Sequence, residues 1–380
     1  MSSSGKTIIF ISHESKLFGA PKVLLQIIKY FHATQLYNIL VICPSEGPFK
    51  SILDQNNIRT LVPECLRRFY IHVSKPHFFF IKFLLRFWDN VKLFFYFYKL
   101  FHSHANLIVY ANTLVVRYIA LPAKFSKAKL IWHIHEYFAN PIKQWFHSLL
   151  IGYCADNIIA HSASLMSRLH FTQRQIQNKV SYFRYYSAFE REILARVDSN
   201  NIEFDLLYAG RISLKKGVLD LLKAIANSIN SKFNLKAVIV GMFAEEDKKI
   251  IMNFIQENKL ETHVIFPGFV PDIYEYILKS KVVVLPTYRD YFPMILLEAL
   301  LLERPIIATK VGDIPNIVIH NKNGFLVEPG NILQLSEAIG QILDEKQYAR
   351  FKGNVKEVKA QILSQSDDYQ ILRYLIDRGN

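Results

Sequence analysis

Short apolar runs alternate with amphipathic stretches from one end of the chain to the other. Runs rich in Val, Ile and Leu are typical of strands buried on both faces, and residues with helical spacing follow most of them. The pattern therefore predicts an α/β protein whose parallel sheets are covered by helices. The predicted strands span residues 7–12, 38–44, 106–112, 129–135 and 157–162 in the first half, and 205–211, 236–241, 263–269, 281–286 and 304–312 in the second.

The pattern restarts after a polar stretch without a strand, residues 187–205. A chain of 380 residues also exceeds the size at which a single core usually stops growing. We therefore predict two doubly wound, Rossmann-like domains that face each other across a cleft, with ligands at the carboxyl ends of their strands. The first spans residues 1–195, the second spans 196–360, and a C-terminal helix at 361–380 packs back toward the first.

Composition and charge narrow the classes of partner. The chain has 46 Lys and Arg against 32 Asp and Glu, a net charge of +14, which favours nucleic acid, phosphorylated substrates or an anionic membrane surface. No nucleic-acid recognition motif is present and no G-x-G-x-x-G follows a strand, which disfavours nucleic-acid binding and a dinucleotide-dependent dehydrogenase. Three isolated cysteines suggest neither a zinc site nor a disulfide framework, and fit a reducing cytoplasm. No apolar run is long enough for a signal peptide or a membrane span.

A basic loop, "YAGRISLKKG", follows the first strand of the second half. Gly210 lets the chain turn, and Arg211 and Lys216 then stand five residues apart before the next helix. A helix N-terminus attracts anions, so two cations beside it can form a diphosphate site. A basic, solvated loop has the same composition, and the loop alone does not separate the two interpretations.

The stretch "TYRDYFPMILLEAL" places one acid, Asp290, in a polar loop and a second, Glu298, within an apolar helix. A helix that starts near Pro293 turns the backbone amides of Tyr291, Phe292 and Met294 toward the predicted cleft. The simpler interpretation is that Asp290 caps the helix and Glu298 lies on the surface. The apolar residues around Glu298 argue against a surface position.

Five stretches together resemble the retaining GT-B glycosyltransferases of the family-4 type, which include glycogen, sucrose and bacterial cell-surface transferases. They are "GRISLKKG", "VIVGMF", "VIFPGFV", "VVVLPTYRDYFPMILLEALLLERPIIATKVGDIPNIV" and "NGFLVEPGN", and they occur in the family's order over most of residues 205–332. The family usually has Glu followed by Gly at its first acid, where this chain has Asp290 and Tyr291.

The resemblance implies a role for each matching residue. Asp290 and the nearby amides hold the donor sugar, Glu298 binds the nucleotide ribose, and Arg211 and Lys216 hold the diphosphate and neutralise its charge as it leaves. The donor-binding set implied in this way is Gly19, Gly210, Arg211, Lys216, Gly241, Phe269, Asp290, Tyr291, Phe292, Met294 and Glu298.

The first half resembles the family more loosely. "SHESKLFGAPKVLL" matches a small-residue turn under the donor phosphate at Gly19 and Ala20, and "IWHIHE" matches the family's His followed by an acid at His135 and Glu136. His133 faces the same side of its strand, and a core position explains it equally well. The resemblance places Ala20, His135 and Glu136 on the acceptor side. It implies that the catalytic residues are His135, Asp290, Arg211 and Lys216.

The implied activity is transfer of a hexose from a nucleotide diphosphate sugar to a hydroxyl of a lipid-linked or cell-surface glycan, as in lipopolysaccharide or capsule synthesis. The cationic pair can act without a metal, no D-x-D-like site is in a suitable position, and no cofactor is expected. Two alternatives stay open. One is a catalytically weak or inactive GT-B partner subunit at the membrane, and the other is a GT-B sugar-nucleotide epimerase.

An aromatic segment at residues 75–104 bears on location. Its charged residues fall on one side of a helical projection, with Phe, Leu and Tyr on the rest, as in a helix that lies in a membrane interface. A helix packed on the sheet has the same pattern. We expect a cytoplasmic protein that binds the anionic inner face of the cell membrane peripherally. The charged residues of the segment are Lys82, Arg86, Asp89, Lys92 and Lys99.

Overall fold

The chain folds into two compact units. The first comprises Met1–Ala188 with Asp367–Asn380, and the second comprises Phe189–Ser366. The computed structural model describes residues 5–17, 19–66, 79–138, 140–185, 193, 201–230, 235–270, 272–290, 292–364 and 368–378.

The first unit is built on a parallel sheet of seven strands in the order β3-β2-β1-β4-β5-β6-β7. Its strands are β1 (Thr7–Ile11), β2 (Asn38–Ile42), β3 (Thr60–Leu61), β4 (Leu107–Asn112), β5 (Lys129–Ile134), β6 (Asn157–Ala160) and β7 (Val180–Tyr182). Every residue of β4 and β5 is buried, because helices cover both faces of the sheet. The strand order reverses between β1 and β4, which places a ligand-binding crevice at the carboxyl ends of these two strands.

Eight helices surround this sheet within the described residues. They are α1 (Ala20–Thr34), α2 (Pro48–Gln55), α3 (Phe79–His102), α4 (Ala120–Ser126), α5 (Pro141–Cys154), α6 (Ala163–Ser167), α7 (Gln173–Lys179) and, from the end of the chain, α14 (Asp368–Asp377). A 3-10 helix, Leu114–Ile119, precedes α4.

The helix α14 packs on the first unit through rings and hydrogen bonds. Tyr369 stacks on Tyr30 with 3.9 Å between ring centroids, and Asp368 accepts a hydrogen bond of 3.0 Å from the Arg184 amide. This contact explains why a segment 180 residues downstream belongs to the first unit. The three sequence-based domain boundaries stay predictions.

The second unit has a parallel sheet of six strands in the order β10-β9-β8-β11-β12-β13. Its strands are β8 (Phe204–Ala209), β9 (Ala237–Val240), β10 (Val264–Gly268), β11 (Ser280–Leu285), β12 (Ile306–Thr309) and β13 (Gly324–Val327). Its helices are α8 (Val218–Asn230), α9 (Glu245–Glu257), α10 (Ile273–Leu278), α11 (Met294–Leu301), α12 (Ile332–Leu343) and α13 (Glu345–Ser364). The order reverses between β8 and β11, so this pair marks the corresponding crevice of the second unit.

The α/β class, the two doubly wound sheets and all ten predicted strands are confirmed. The sequence pattern missed β3, β7 and β13, each at a sheet edge and no longer than four residues. The strand β13 begins with Gly324, which reads as a turn residue. A Cβ there would lie 1.8 Å from the Ile306 carbonyl oxygen, so only glycine allows the strand to approach β12 this closely.

The helix α3 packs on the sheet over the part whose side chains are described, residues 88–102. Leu93, Phe97 and Phe101 recur every four residues and are buried in the core of the first unit. The aromatic side of this part therefore faces inward, which favours the packed helix over a helix in the interface. Of the charged residues predicted to face lipid, Lys82 and Arg86 lie outside the described side chains. Within the described residues, no helix is both long enough and apolar enough to cross a bilayer.

Candidate functional site

The basic loop of the second unit is held by close backbone contacts. A Cβ on Gly241 would lie 1.8 Å from the Gly210 carbonyl oxygen, so the carboxyl ends of β8 and β9 meet at these glycines. Gly217 has a left-handed φ of 73°, and a Cβ there would lie 1.8 Å from the Pro286 carbonyl oxygen. The start of α8 is thereby pressed against the end of β11. These contacts bring the two loops at the strand-order reversal together.

Lys216 and Asp290 form an ion pair across these two loops. Their Nζ and Oδ2 atoms are 2.6 Å apart, and the side chains are only 31% and 21% exposed. Lys216 also lies 3.5 Å from the Arg289 carbonyl oxygen. Being largely shielded from water, the pair is stronger than a typical surface ion pair. The sequence assigned both residues to the donor site, but not as partners.

Arg211 does not take part in this pair. Its guanidinium is 66% exposed and lies 3.6 Å from Glu246 of α9, which is exposed as well. An ion pair of this kind contributes little to stability and leaves the arginine easily displaced toward an anion.

A second contact between the loops involves Tyr288 and Asp220, and sequence reasoning missed it. The Tyr288 hydroxyl donates a hydrogen bond of 2.6 Å to Asp220 in the first turn of α8. This hydrogen bond, with burial, raises the pKa of Tyr288 to about 12, so the hydroxyl stays a donor at neutral pH. No spacing rule pairs residues 68 positions apart, and only their positions next to β8 and β11 relate them.

Glu298 is buried on α11, with 3% of its surface exposed. The surface interpretation is therefore excluded. Asp290 is not the helix cap either, because α11 begins after Pro293 and no side chain caps it. Phe292 and Met294 are half-buried at the start of this helix, whereas Tyr291 lies outside the described residues. Phe269 follows β10 and is largely exposed.

In the first unit, Gly19 and Ala20 lie at the start of α1. Gly19 has a φ of 51°, in the region that favours glycine, and no heavy atom lies within 4 Å of the position of a Cβ. The space beside the N-terminus of α1 is therefore open. The Ala20 carbonyl oxygen accepts a hydrogen bond of 3.3 Å from the side-chain amide of Asn112, at the end of β4.

This hydrogen bond determines the tautomer of His135. Because the Asn112 nitrogen donates to Ala20, its Oδ1 atom accepts the 2.6 Å hydrogen bond from Nε2–H of His135. The Nδ1 atom of His135 then accepts from the Tyr185 hydroxyl at 2.9 Å. Both ring nitrogens of His135 are thus engaged within the protein.

The hydrogen-bond chain continues from Tyr185 into the core. The Tyr185 oxygen accepts from Nε2–H of His133 at 3.3 Å, and the His133 Nδ1 atom accepts from the Tyr110 hydroxyl at 2.7 Å. Burial places the pKa of His133 and of His135 well below 6.5, so both rings are neutral. His133 is therefore a satisfied core histidine. A proton could leave or reach His135 only by breaking this chain.

Glu136, next to His135, supports the adjoining 3-10 helix. Its Oε1 atom accepts a hydrogen bond of 3.0 Å from the Leu114 amide, at the start of that helix. Burial raises the pKa of the carboxyl group to about 7, against 4.5 for an ordinary glutamate, and the Leu114 hydrogen bond offsets only part of this. Near neutral pH the group can both hold and release a proton.

Substitution of Glu136 by Gln is expected to make the protein more stable at pH 8 than at pH 5, relative to wild type. The folded state binds the proton of Glu136 more tightly than the unfolded state, so its stabilising contribution is complete below about pH 4.5 and is lost as the pH rises through about 7. The pKa shift corresponds to about 3 kcal/mol at pH 8. Gln keeps an oxygen for the Leu114 amide.

Thermal melts of wild type and Glu136→Gln between pH 5 and pH 8 measure this difference directly. Glu257→Gln, at an exposed glutamate of α9, is the matched control and should shift the melt equally at every pH above 5. A difference between Glu136→Gln and wild type that stays constant over this range would contradict the raised pKa.

Among the described residues, no group of three or more His, Cys, Asp or Glu side chains could hold a metal ion. The predicted residues of the second unit surround the β8–β11 reversal, and those of the first unit surround α1 and the carboxyl ends of β4 and β5. Asn112, at such a strand end, could have been found from its position. Nothing in the sequence points to Tyr185 or Tyr110 as partners of the histidines.

Comparison with known proteins assigns a family to the second unit. Residues 189–358 match the family model described as glycosyl transferases group 1. The capsular polysaccharide biosynthesis glycosyltransferase CapM of Staphylococcus aureus is 26% identical over 210 residues, 51% of this chain and 54% of CapM. The N-acetyl-alpha-D-glucosaminyl L-malate synthase of Bacillus anthracis is 25% identical over 205 residues, 52% of this chain and 53% of that protein. The chain thus spans about half the length of the curated relatives it matches.

A solved structure extends the similarity over the whole chain. The crystal structure of Anabaena HepE in complex with UDP and glucose has a TM-score of 0.72 at 23% identity, and the match covers 98% of this chain and 99% of HepE. This similarity shows that the chain has the GT-B fold.

Proposed function

Since residues 189–358 of this chain belong to the glycosyl transferases group 1 family and the chain has the GT-B fold, we propose that the protein is a retaining hexosyltransferase. It moves a hexose from a nucleotide diphosphate sugar to a hydroxyl group of a lipid-linked or cell-surface glycan. It acts in the cytoplasm, peripherally on the inner face of the membrane. CapM, whose name places it in capsular polysaccharide biosynthesis, supports a glycan acceptor.

The observation that carries the proposal is the Lys216–Asp290 ion pair at the strand-order reversal of the second unit. A fixed ammonium group in this position stabilises the negative charge that grows on a departing diphosphate, and it does so without a metal. Asp290 holds the ammonium in place and accepts hydroxyl groups of the donor sugar. Arg211, weakly paired and exposed, adds a second cation for the diphosphate.

We propose a UDP-hexose as the donor, because HepE is described in complex with UDP and glucose. The ribose hydroxyls bind to Glu298. Its buried carboxylate is costly to keep in an apolar helix unless it has such partners.

The test is the thermal stability of the full chain with a panel of UDP-, GDP-, ADP-, dTDP- and CMP-sugars. A donor at 100 times its dissociation constant stabilises the folded state by about 2.7 kcal/mol, which a melting curve detects. A UDP-sugar is expected to give the largest shift. A larger shift with another base would overturn the donor, and no shift with any sugar nucleotide would overturn the transferase. Interconversion of the sugar without an acceptor would instead indicate an epimerase.

A further inference from the structure

The helix α5 exposes its apolar residues to solvent. Five of its large side chains are between 47% and 76% exposed, although each is aliphatic or aromatic. They recur at positions i, i+3, i+4, i+7 and i+11, so they lie along one side of the helix. These residues are Ile142, Trp145, Phe146, Leu149 and Tyr153.

The opposite side of α5 is polar, buried and fully engaged. Gln144 accepts a hydrogen bond of 2.6 Å from the Phe138 amide and donates one of 3.1 Å to Ser148. Ser148 also accepts a hydrogen bond of 3.1 Å from the His170 amide. Rotating the helix to bury its apolar side would leave these groups without partners, at a cost for each. The rotation of α5, and with it the exposure of the apolar residues, is therefore built into the fold.

The neighbouring helix α4 extends this surface. Phe125 is 62% exposed at its end, and the Nζ atom of Lys124 lies 5.5 Å from the centre of the Tyr153 ring. We call Phe125 and the five exposed residues of α5, with the lysines beside them, the aromatic–basic face.

The charge of the surrounding sequence is one-sided. Lys124, Lys127 and Lys143 are exposed on or next to α4 and α5. Between residues 114 and 154 the only acidic residue is Glu136, which is half-buried and bonded to a backbone amide. A face of this composition attracts a negatively charged partner with a wide apolar boundary.

We propose that the aromatic–basic face docks on an anionic bilayer surface. A helix of 14 residues is about 21 Å long, and it can lie in the plane of the interface with its aromatic residues among the acyl chains and its lysines at the lipid phosphates. Trp and Tyr side chains favour this boundary. The proposal rests on the proposed function, in which the acceptor is presented at the membrane.

This surface differs from the one that the sequence indicated. The aromatic pattern of α3 predicted a membrane contact, but Leu93, Phe97 and Phe101 are buried. The pattern of α5 indicated nothing, because exposure of its apolar side depends on the buried polar side.

The test is binding of the full chain to vesicles, with phosphatidylglycerol in phosphatidylcholine compared with phosphatidylcholine alone. Wild type should sediment with the anionic vesicles, less so at high salt. The chain has three tryptophans, and Trp132 is buried. In a Trp88→Phe background, the emission of Trp145 should therefore shift to shorter wavelength when anionic vesicles are added.

Two variants separate the apolar from the electrostatic contribution. Trp145→Gln with Phe146→Gln, and separately Lys124→Gln with Lys143→Gln, should each weaken binding to anionic vesicles about tenfold or more. Ile250→Gln with Met252→Gln, at exposed positions of α9 in the second unit, is the matched control and should bind like wild type. All substitutions are at exposed positions, and unchanged melting temperatures confirm that the variants fold.

Three results would overturn the proposal. They are no binding of wild type to anionic vesicles, binding without a change in Trp145 emission, and a dimer in vesicle-free sedimentation that Trp145→Gln with Phe146→Gln dissociates. The last would make the face an interface between two copies. The sugar-nucleotide melts separate this proposal from the proposed function. Donor stabilisation without vesicle binding removes only the membrane face, and vesicle binding without donor stabilisation removes only the transferase.

Discussion

Replacing Lys216 with alanine is expected to slow cleavage of a UDP-hexose about 10²–10³-fold, measured as UDP release with water as the acceptor. The ammonium group lies in the loop between β8 and α8, held by Asp290 at 2.6 Å. Because it acts on charge that develops as the diphosphate leaves, kcat should fall more than KM rises.

Lys215→Ala is the matched control for this prediction. Lys215 is the adjacent residue, carries the same charge and is exposed, and the hydrogen bond between its carbonyl group and the Tyr288 amide survives the substitution. Its UDP release should stay within a few-fold of wild type. A Lys216→Ala protein that melts like wild type and releases UDP at the wild-type rate would remove the lysine from the mechanism.

A double-mutant cycle tests whether Asp290 acts through the lysine. If Asp290 only positions the ammonium group, the double variant Lys216→Ala, Asp290→Ala releases UDP no more slowly than Lys216→Ala alone. If Asp290 also binds the donor sugar, the second substitution lowers the rate further.

The sheets could be predicted from the sequence because each long strand is buried on both faces. Such strands read as continuous apolar runs, as β4 and β5 do, and the intervening helices announce parallel pairing. Where a strand is two to four residues long at an edge, local composition carries too little signal. Gly324 even reads as a turn, since the close approach that requires it lies in β12.

The members of the candidate site could be placed at strand ends, but their pairing could not. Lys216 and Asp290 are 74 residues apart, and Tyr288 and Asp220 are 68 apart. Adjacency of β8 and β11 follows only from the complete strand order. The Tyr185–His135 contact is similar, because it depends on a residue beyond β7 folding back over β5.

Amphipathic patterns failed where burial was decided by polar groups. The aromatic pattern of α3 fits both lipid and core, and packing against the sheet decides for the core in its described part. In α5 the hydrogen bonds of Gln144 and Ser148 fix the orientation against the apolar pattern. Sequence periodicity counts apolar positions and cannot weigh these contacts.

Replacing Glu298 with glutamine is expected to raise the dissociation constant of UDP by about 10- to 100-fold, because hydrogen bonds to a charged group contribute roughly 1.5–3 kcal/mol. Gln has the same shape, so the packing around this buried position on α11 is retained. The shift of the melting temperature on addition of UDP should shrink accordingly, whatever the variant does to the stability of the free protein. Glu303→Gln, at the next acid along the chain, should leave the UDP-induced shift unchanged.

A deoxyribose analogue shows whether the lost affinity belongs to the ribose. In wild type, 2′-deoxy-UDP and 3′-deoxy-UDP should bind more weakly than UDP, at least one of them by about as much as Glu298→Gln costs. In Glu298→Gln that analogue should bind no more weakly than UDP, since the carboxylate that its missing hydroxyl would have met is gone. If the analogues lose the same affinity in both proteins, Glu298 does not contact the ribose, and its burial in an apolar helix needs a partner within the second unit instead.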